Sequence, residues 1–277
     1  MNQPQKVVNT PAVTQQFARQ IERVDIDYTR SRLGGMQAAP DNPLGIEIRQ
    51  FGQATAFLIA GWPDFWYGNR VLGLTPADAP HLDKIAAFFD RHNLSFRFEI
   101  IPGSLNRELA RRLNDLGFMQ VGFSAALYGR PHLPPAAAAP VRVKKISSND
   151  LNLFIDLYKD GFEQTPLSNH VKEIVSIWHM QEQAFLDLYI AYIDSIPAGV
   201  GILYSKNGVG LLADAAVLPR YRGQGCHTAL IHQRTKRAIE QGCTLLTSFV
   251  EFGSASHRNL EKAGLRVAYT KAVWRKA

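Results

Sequence analysis

The chain has 277 residues, of which 46% are hydrophobic and 20% charged, a balance typical of soluble globular proteins. That length predicts two domains of ordinary size, each large enough to bury its own core. The 31 Lys and Arg residues outnumber the 24 Asp and Glu residues and give a net charge of +7, but no lysine-rich tail and no basic run with interleaved aromatics supports binding to nucleic acid.

The sequence shows no targeting segment and no pattern of metal ligands. Residues 1–6 contain no apolar run, so no secretory signal is predicted, and the apolar stretches elsewhere are too short to span a membrane. The two cysteines, Cys226 and Cys243, are too few for a disulfide framework and lack metal-ligand spacing. We therefore expect a reduced, cytoplasmic protein that binds neither a membrane nor a metal.

The first half ends in a segment that recurs later in the chain. A strand is predicted over residues 96–101, followed by a helix and by residues 117–128, whose sequence is Gly-Phe-Met-Gln-Val-Gly-Phe-Ser-Ala-Ala-Leu-Tyr. Residues 264–274, Gly-Leu-Arg-Val-Ala-Tyr-Thr-Lys-Ala-Val-Trp, are similar to it with one insertion, and also follow a strand and a helix. The weak repeat indicates a duplicated domain. The aromatic cluster at residues 62–67 is expected to pack in a core or interface; a wall of a substrate cleft is the alternative.

A Pro- and Ala-rich segment at residues 131–140 reads as a semi-rigid linker between two domains, 1–130 and 141–277. After it, hydrophobic periodicity and turn residues predict an ordered series of elements. The predicted strands are residues 141–146, 185–194, 198–205, 210–217, 244–250 and 266–274. The predicted helices are residues 150–162, 168–183, 225–241 and 254–263.

The most informative segment is residues 217–227, Val-Leu-Pro-Arg-Tyr-Arg-Gly-Gln-Gly-Cys-His, which joins a predicted strand to a predicted helix. Alternate glycines allow a sharp bend that brings backbone N–H groups close to an anion. The following helix directs its unpaired amides and its positive dipole end at the same point. The segment is therefore expected to bind a phosphate or pyrophosphate. The second half also carries more of the positive charge, 17 basic against 12 acidic residues.

Two common nucleotide motifs do not fit this loop. A Walker loop requires Lys followed by Ser or Thr after its last glycine, whereas Gly225 is followed by Cys226 and His227. A dinucleotide fingerprint requires a third glycine where this chain has Thr228. The string Val-x-Pro-x-Tyr-Arg-Gly-x-Gly instead resembles the acetyl-CoA loop of the GNAT superfamily of N-acetyltransferases, and residues 220–225 fit its Arg/Gln-x-x-Gly-x-Gly pattern.

The resemblance covers residues 141–277, whose order of elements matches the superfamily. It implies an α/β fold with a mixed sheet: two tandem GNAT-like domains, each a mostly antiparallel twisted sheet flanked by helices. In the first domain, residues 69–78 occupy the place of the phosphate loop but lack its clustered glycines. The first domain therefore resembles a degenerate GNAT copy that no longer binds CoA, as in tandem, mycothiol-synthase-like members.

The resemblance also implies a set of residues that bind acetyl-CoA. The loop amides and the neighbouring arginine hold the pyrophosphate, the strand before the loop holds the acyl arm, and two polar residues of the last helix meet the CoA arm. These residues are Ala215, Ala216, Val217, Arg222, Gly223, Gln224, Gly225, Cys226, His227, Ser256 and Asn259. A backbone N–H near residues 215–217 is expected to polarise the thioester carbonyl.

Two carboxylates are candidates for the general base that accepts a proton from the attacking amine. Asp214 precedes Val217 by three residues, and strand alternation predicts that it shares a face with Ala216 while Ala213 faces the other way. Glu251 lies at the end of the next strand. Either carboxylate could instead form a structural ion pair. Many GNAT enzymes carry a Tyr acid where this chain has Leu260.

The sequence thus predicts an N-acetyltransferase that moves an acetyl or other acyl group from acetyl-CoA to a primary amine of a small molecule or peptide, acting as a monomer or homodimer. Two alternatives remain open. A non-catalytic acyl-CoA-binding or regulatory module would keep the loop without turnover, and an interaction protein would need no cofactor.

Overall fold

The computed structural model describes residues 12–63, 65, 68–133, 141–163 and 184–276. Its helices are α1 (Gln15–Gln37), α2 (Leu82–Asp90), α3 (Arg107–Asp115), α4 (Leu151–Gly161), α5 (Cys226–Glu240) and α6 (Ala255–Lys262). Within these ranges no helix combines the length and the apolar character needed to cross a bilayer.

The strands all join one sheet. They are β1 (Ile46–Phe51), β2 (Ala54–Ile59), β3 (Arg70–Leu72), β4 (Arg97–Ile100), β5 (Phe118–Gly129), β6 (Val141–Lys145), β7 (Leu186–Ile193), β8 (Ile196–Lys206), β9 (Val209–Val217), β10 (Leu245–Glu251) and β11 (Arg266–Lys276). Their order across the sheet is β1-β2-β3-β4-β11-β5-β10-β9-β8-β7-β6. Most neighbours are antiparallel, and β3–β4 and β9–β10 are parallel.

The two halves exchange their last strands at the centre of this sheet. β5, from the first half, pairs with β10 of the second half, and β11, from the second half, pairs with β4 of the first. The two exchanged strands also pair with each other from Phe118 to Tyr128. They are the two similar segments detected in the sequence, and each follows a left-handed glycine, Gly117 or Gly264, at the end of a helix. The predicted mixed α/β fold is confirmed, and the sheets of the two halves join into one continuous sheet.

The elements predicted for the second half that the structure describes agree with it to within two residues at their ends. These predictions relied on alternating or continuous apolar residues bounded by turns. The apolar runs of β7 to β9 are strong signals because nearly every central position of these strands is buried. The predicted helix at 168–183 and the linker residues 134–140 lie outside the described residues, so the predicted domain boundaries stay a prediction.

One hydrophobic core spans both halves. Residues of α1 and β2, including Tyr28, Leu33 and Phe57, pack in the same cluster as residues of α4 and β7 to β9. Phe65 joins this cluster with 2% of its surface exposed and stacks on Trp62, with ring centroids 4.4 Å apart. The described part of the aromatic cluster at 62–67 is therefore packed in this core.

A buried network of charged side chains also joins the halves. Lys271 of β11 donates to Asp25 of α1 at 2.7 Å and to Glu99 of β4 at 2.6 Å. Arg70 of β3 donates to the same two carboxylates at 2.9 and 3.3 Å, and Arg97 donates to Glu99 at 2.8 Å. Burial alone would raise the pKa of Glu99, but the surrounding cations hold it well below its usual value. Glu99 is thus ionised, and the members of the network are mutually paired.

Candidate functional site

The glycine-rich loop forms an open cradle of backbone donors between β9 and α5. Gly223 and Gly225 adopt left-handed conformations, with φ of 80° and 85°, which glycine adopts without a steric penalty. Among the described residues, no backbone carbonyl accepts from the N–H groups of residues 223–228. These donors meet at the start of a 15-residue helix, where the helix dipole also favours an anion. Unpaired donors at this position suit an anion.

The polar side chains of the loop mainly brace it. The Arg222 guanidinium donates to Glu163 at 2.7 Å, to the Gly161 carbonyl at 3.2 Å and to the Val217 carbonyl at 3.3 Å. Gln224 donates to the carbonyl of residue 220 at 3.1 Å. About half of the Arg222 side chain is exposed. It ties the loop to the end of α4 and stays near the rim of the cradle.

Next to the loop, the parallel strands β9 and β10 separate. Their pairing runs from Val209 and Leu245 only as far as Leu211 and Thr247, although both strands continue for several residues beyond. β10 instead continues alongside β5 up to Glu251. The gap opens at the edge where the cradle lies, and it leaves one side of residues 213–217 free of a strand partner.

β9 contains a β-bulge within this gap. Ala213 pairs with Ile202 of β8, and Ala216 pairs with Val200. Two residues of β9, 214 and 215, therefore lie opposite one residue of β8, Gly201. Asp214, the first of them, has a φ of 41°. Ala213 and Ala216 therefore pack in the same hydrophobic cluster. The prediction from simple alternation, which placed them on opposite faces, is wrong because the extra residue reverses the side-chain phase.

The structure places Asp214 in a buried ion pair with the first half. Its Oδ2 accepts from the Tyr28 hydroxyl at 2.7 Å and from the Arg32 guanidinium, both on α1. The Asp214 residue is 8% exposed and Arg32 is 2% exposed. Tyr158 of α4 lies against the same group, and Arg32 is 5.2 Å from the centre of its ring. Asp214 thus forms a buried ion pair, the structural role that the sequence left open as the alternative to a catalytic base.

Glu251 lies in a different environment. It is the last residue of β10, is exposed, and pairs through its backbone with Ser124 of β5. Because β9 and β10 are parallel, their carboxyl ends share one edge of the sheet, so Glu251 borders the same gap as Val217. In the part of the chain that the structure describes, no hydrogen bond or ion pair joins Asp214 to Glu251, so the two candidate bases do not form a dyad.

The structure brings together three of the residues expected to bind acetyl-CoA. His227 of α5 lies 3.2 Å from Asn259 and 3.4 Å from Ser256, both on α6. Burial, with Arg234 nearby, lowers the pKa of His227 to about 3, so the ring is neutral at pH 7. Cys226 is buried, and burial raises the pKa of its thiol. Leu260 is 2% exposed and supplies no hydroxyl to this region.

The corresponding loop of the first half is closed by its own carboxylates. Asp78, which is 2% exposed, accepts from the backbone N–H groups of Gln53 and Thr75 at 2.8 and 2.9 Å and from the Thr75 hydroxyl at 2.8 Å. Glu22 of α1 accepts from the Gly73 N–H at 3.1 Å. Donors that a phosphate would need are therefore already used, and the nearby negative charge opposes an anion.

Comparison with known proteins agrees with this geometry. Residues 151–265 match the sequence profile described as the Acetyltransferase (GNAT) family. The matched residues include the cradle and the strands β9 and β10. No curated protein matches the chain.

Solved structures extend the likeness across the whole chain. A GCN5-related N-acetyltransferase from Kribbella flavida has a TM-score of 0.62 at 18% identity, covering 91% of this chain and 95% of that one. A tandem GNAT protein from the clavulanic acid biosynthesis pathway has a TM-score of 0.54 at 12% identity, covering 96% of each. The chain therefore shares the overall fold of these two proteins over most of its length.

Several side chains around the gap between β9 and β10 were not predicted from the sequence. Tyr28 and Arg32 come from α1, 186 and 182 residues before Asp214 in the chain, and no local pattern links them to it. Arg234 could have been noticed, because it lies four residues after Leu230 and four before Ala238 on the buried face of α5. A charged residue in such a row indicates a specific buried partner.

Glu22 predicts a measurable pH dependence of stability. Burial raises its pKa from 4.5 to about 7, so between these values the folded state binds more protons than the unfolded state, and stability falls as pH rises. The stabilisation is fully present below pH 4.5 and is lost through pH 7, up to about 3 kcal/mol. We expect Glu22→Gln to lose less stability than wild type between pH 5 and pH 8 in urea unfolding. Glu108→Gln, an exposed change on α3, should behave as wild type; parallel curves for wild type and Glu22→Gln would contradict the assignment.

Proposed function

We propose that this protein is an acetyl-CoA-dependent N-acyltransferase, active in its GNAT domain, that acylates a primary amine of a small molecule or peptide. The observation that carries the proposal is the cradle of free N–H groups at residues 223–228, placed beside the gap between β9 and β10. The family transfers acyl groups, and the cradle and gap supply the two features that a pyrophosphate-linked thioester needs.

In this proposal the loop amides and the start of α5 hold the pyrophosphate, and Ser256 and Asn259 border the CoA arm beside His227. Acetyl-CoA, when bound, supplies the acyl group as a thioester. The free edge of residues 215–217 offers backbone N–H groups to the acyl carbonyl. The amine nitrogen would form a bond to the acyl carbon as the carbon–sulfur bond breaks, the sulfur would leave with the electron pair as the CoA thiolate, and one proton of the attacking nitrogen would go to a carboxylate.

We assign the base to Glu251 and a positioning role to Asp214. Glu251 is exposed at the mouth of the gap, where an amine can approach it. The Asp214 Oδ2 already accepts from two donors and is shielded by α1 and α4, so an amine cannot reach that oxygen without displacing Tyr28 or Arg32. Asp214 instead fixes α1 of the first half against the bulge.

The decisive experiment follows thiol release from acetyl-CoA over a panel of amines, with CoA binding measured in parallel. Ligand binding to the folded state raises the melting temperature in proportion to the logarithm of concentration. We expect CoA and acetyl-CoA to raise it at micromolar concentration and at least one amine to release thiol faster than the uncatalysed rate. An unchanged melting temperature with both CoA and acetyl-CoA would refute the proposal.

Two substitutions separate the roles of the carboxylates. We expect Glu251→Gln to lower kcat/KM by about a hundredfold, the usual contribution of a general base, with unchanged unfolding. Asp214→Asn leaves the Arg32 charge buried without its anion, so it should lower the free energy of unfolding by about 3 kcal/mol while folded protein retains turnover within about tenfold. A stable Asp214→Asn variant without turnover, together with a fully active Glu251→Gln variant, would reverse the assignment.

The second candidate is a non-catalytic acyl-CoA-binding module. Leu260 favours it, because no hydroxyl occupies the position where many members carry the acid that protonates the thiolate. This candidate predicts CoA binding without thiol release for every amine tested.

We also propose that residues 1–130 and 141–277 are the two domains and that the protein works in the cytoplasm as a monomer or homodimer. Both cysteines are free, which suits a reducing compartment. The self-filled loop of the first half supports one CoA site per chain.

A further inference from the structure

Arg234 is a buried cation whose role neither the loop nor the candidate bases explain. It lies on α5 with 1% of its surface exposed, and no carboxylate of the described residues lies within ion-pair distance of it. Burial lowers its pKa to about 10, so the side chain remains charged at pH 7. A buried charge is costly unless it is well hydrogen-bonded, so the role of Arg234 depends on the groups to which it donates.

Those partners are the backbone carbonyls of the bulge. Arg234 Nη1 donates to the Ala213 carbonyl of β9 at 2.9 Å and to the Ile202 carbonyl of β8 at 3.1 Å, while Nε donates to Leu230 within its own helix at 3.0 Å. Gly201 makes room for it, because a Cβ there would lie 3.2 Å from the Arg234 Cζ and Nε. The guanidinium therefore fills the opening that the extra residue creates between the two strands.

This contact fixes the direction of the next amide. The C=O and N–H of one trans peptide point in opposite directions, so holding the Ala213 carbonyl toward β8 turns the Asp214 N–H away from β8, toward the gap left by β10. α5 begins at the phosphate cradle and reaches Arg234 eight residues later, about 12 Å along a rigid helix. One helix thus contacts both the proposed pyrophosphate and the proposed acyl-binding strand.

We propose that Arg234 is a positioning residue that holds the bulge of β9 in fixed relation to the phosphate-binding end of α5, so that the acyl carbonyl meets correctly directed N–H groups. The expected effect on kcat rests on the proposed function. The contact of Arg234 with the Ala213 and Ile202 carbonyls, here called the clamp, rests on the structure alone. Gly201 has a matching role, as the space that lets the guanidinium reach both carbonyls.

The test compares three variants with one matched control. Arg234→Met removes the donors, Arg234→Lys keeps the charge with fewer donors, and Gly201→Ala displaces an intact Arg234. Arg237→Met is the control, since Arg237 lies on the same helix but is 36% exposed and pairs with Asp187. Four quantities are measured for each: kcat with acetyl-CoA, the Kd of CoA, the free energy of unfolding, and hydrogen exchange of the β9 amides.

We expect Arg234→Met to lower kcat by about a hundredfold or more, with the Kd of CoA changed by less than about threefold, because transition-state stabilisation by an oriented donor is of this size and the phosphate cradle is intact. Amides of residues 213–217 should exchange faster. Arg234→Lys should lie between this variant and wild type, Gly201→Ala should resemble Arg234→Met, and Arg237→Met should match wild type.

Unchanged kcat and unchanged exchange in Arg234→Met would overturn the proposal. So would a parallel loss of turnover, CoA binding and stability in all three variants, since that pattern indicates a purely structural residue. If the wild-type chain acylates no amine, the proposed function fails, and hydrogen exchange alone then tests the clamp. Faster exchange in Arg234→Met than in wild type, confined to residues 213–217, would support the clamp, and unchanged exchange would refute it.

Discussion

Replacing Lys271 with Met is expected to lower the free energy of unfolding by about 3–5 kcal/mol, the usual cost of removing one partner from a buried ion pair. Lys271 is 1% exposed and its ammonium lies between Asp25 and Glu99. Methionine fills a similar volume but leaves two buried carboxylates short of a cation. Because domains of this kind are stabilised by only about 5–15 kcal/mol, the variant should unfold at a much lower urea concentration.

Lys276→Met is the matched control for that prediction. Lys276 lies on the same strand and pairs with Asp90 at 3.2 Å, but about half of its side chain is exposed. An exposed pair contributes about 0–1 kcal/mol, so the control should unfold almost as wild type does. Equal midpoints for the two variants would show that the buried network contributes little. The comparison removes the same charge from the same strand and changes only its burial.

Replacing Gly223 with Val is expected to weaken CoA binding by about a hundredfold, equivalent to roughly 3 kcal/mol. Valine disfavours the left-handed conformation that Gly223 adopts at a φ of 80°. The loop must then bend differently, and two or more N–H groups lose their direction toward the pyrophosphate, each bond to a charged group being worth about 1.5–3 kcal/mol. Titration calorimetry with CoA measures the loss.

Gly242→Val controls for strain without touching the cradle. Gly242 has a φ of 72° and follows the opposite end of α5, and a Cβ at either glycine would meet no atom within 4 Å. Both variants should therefore be destabilised similarly, by about 1–2 kcal/mol for a side chain in the left-handed region. Only Gly223→Val should lose CoA affinity. Equal CoA affinities in the two variants would mean that the loop does not bind the pyrophosphate.

The second half could be predicted well from the sequence because its signals are local. The strands from residue 186 to residue 217 are apolar runs bounded by turn residues, and the loop carries two glycines that its left-handed conformations require. These features depend on residues close together in the chain.

The exchange of β5 and β11 could not be predicted, because the two segments have similar sequences and either could pair in either place. The face of Asp214 was mispredicted, because a bulge with a non-glycine residue at positive φ leaves no mark in the sequence. The partners of Asp214 on α1 are distant in the chain, so only the fold brings them together. Each failure concerns a contact between segments rather than a local conformation.

The exchange of strands has a consequence for biosynthesis. While a ribosome is still translating the region before residue 266, the first half lacks the strand that belongs beside β4, and β5 lacks one of its two neighbours. The N-terminal half of this protein therefore cannot mature independently ahead of the rest, as most N-terminal domains do. A premature stop late in the message would leave exposed edges in both halves, and quality-control proteases would be expected to remove the whole polypeptide.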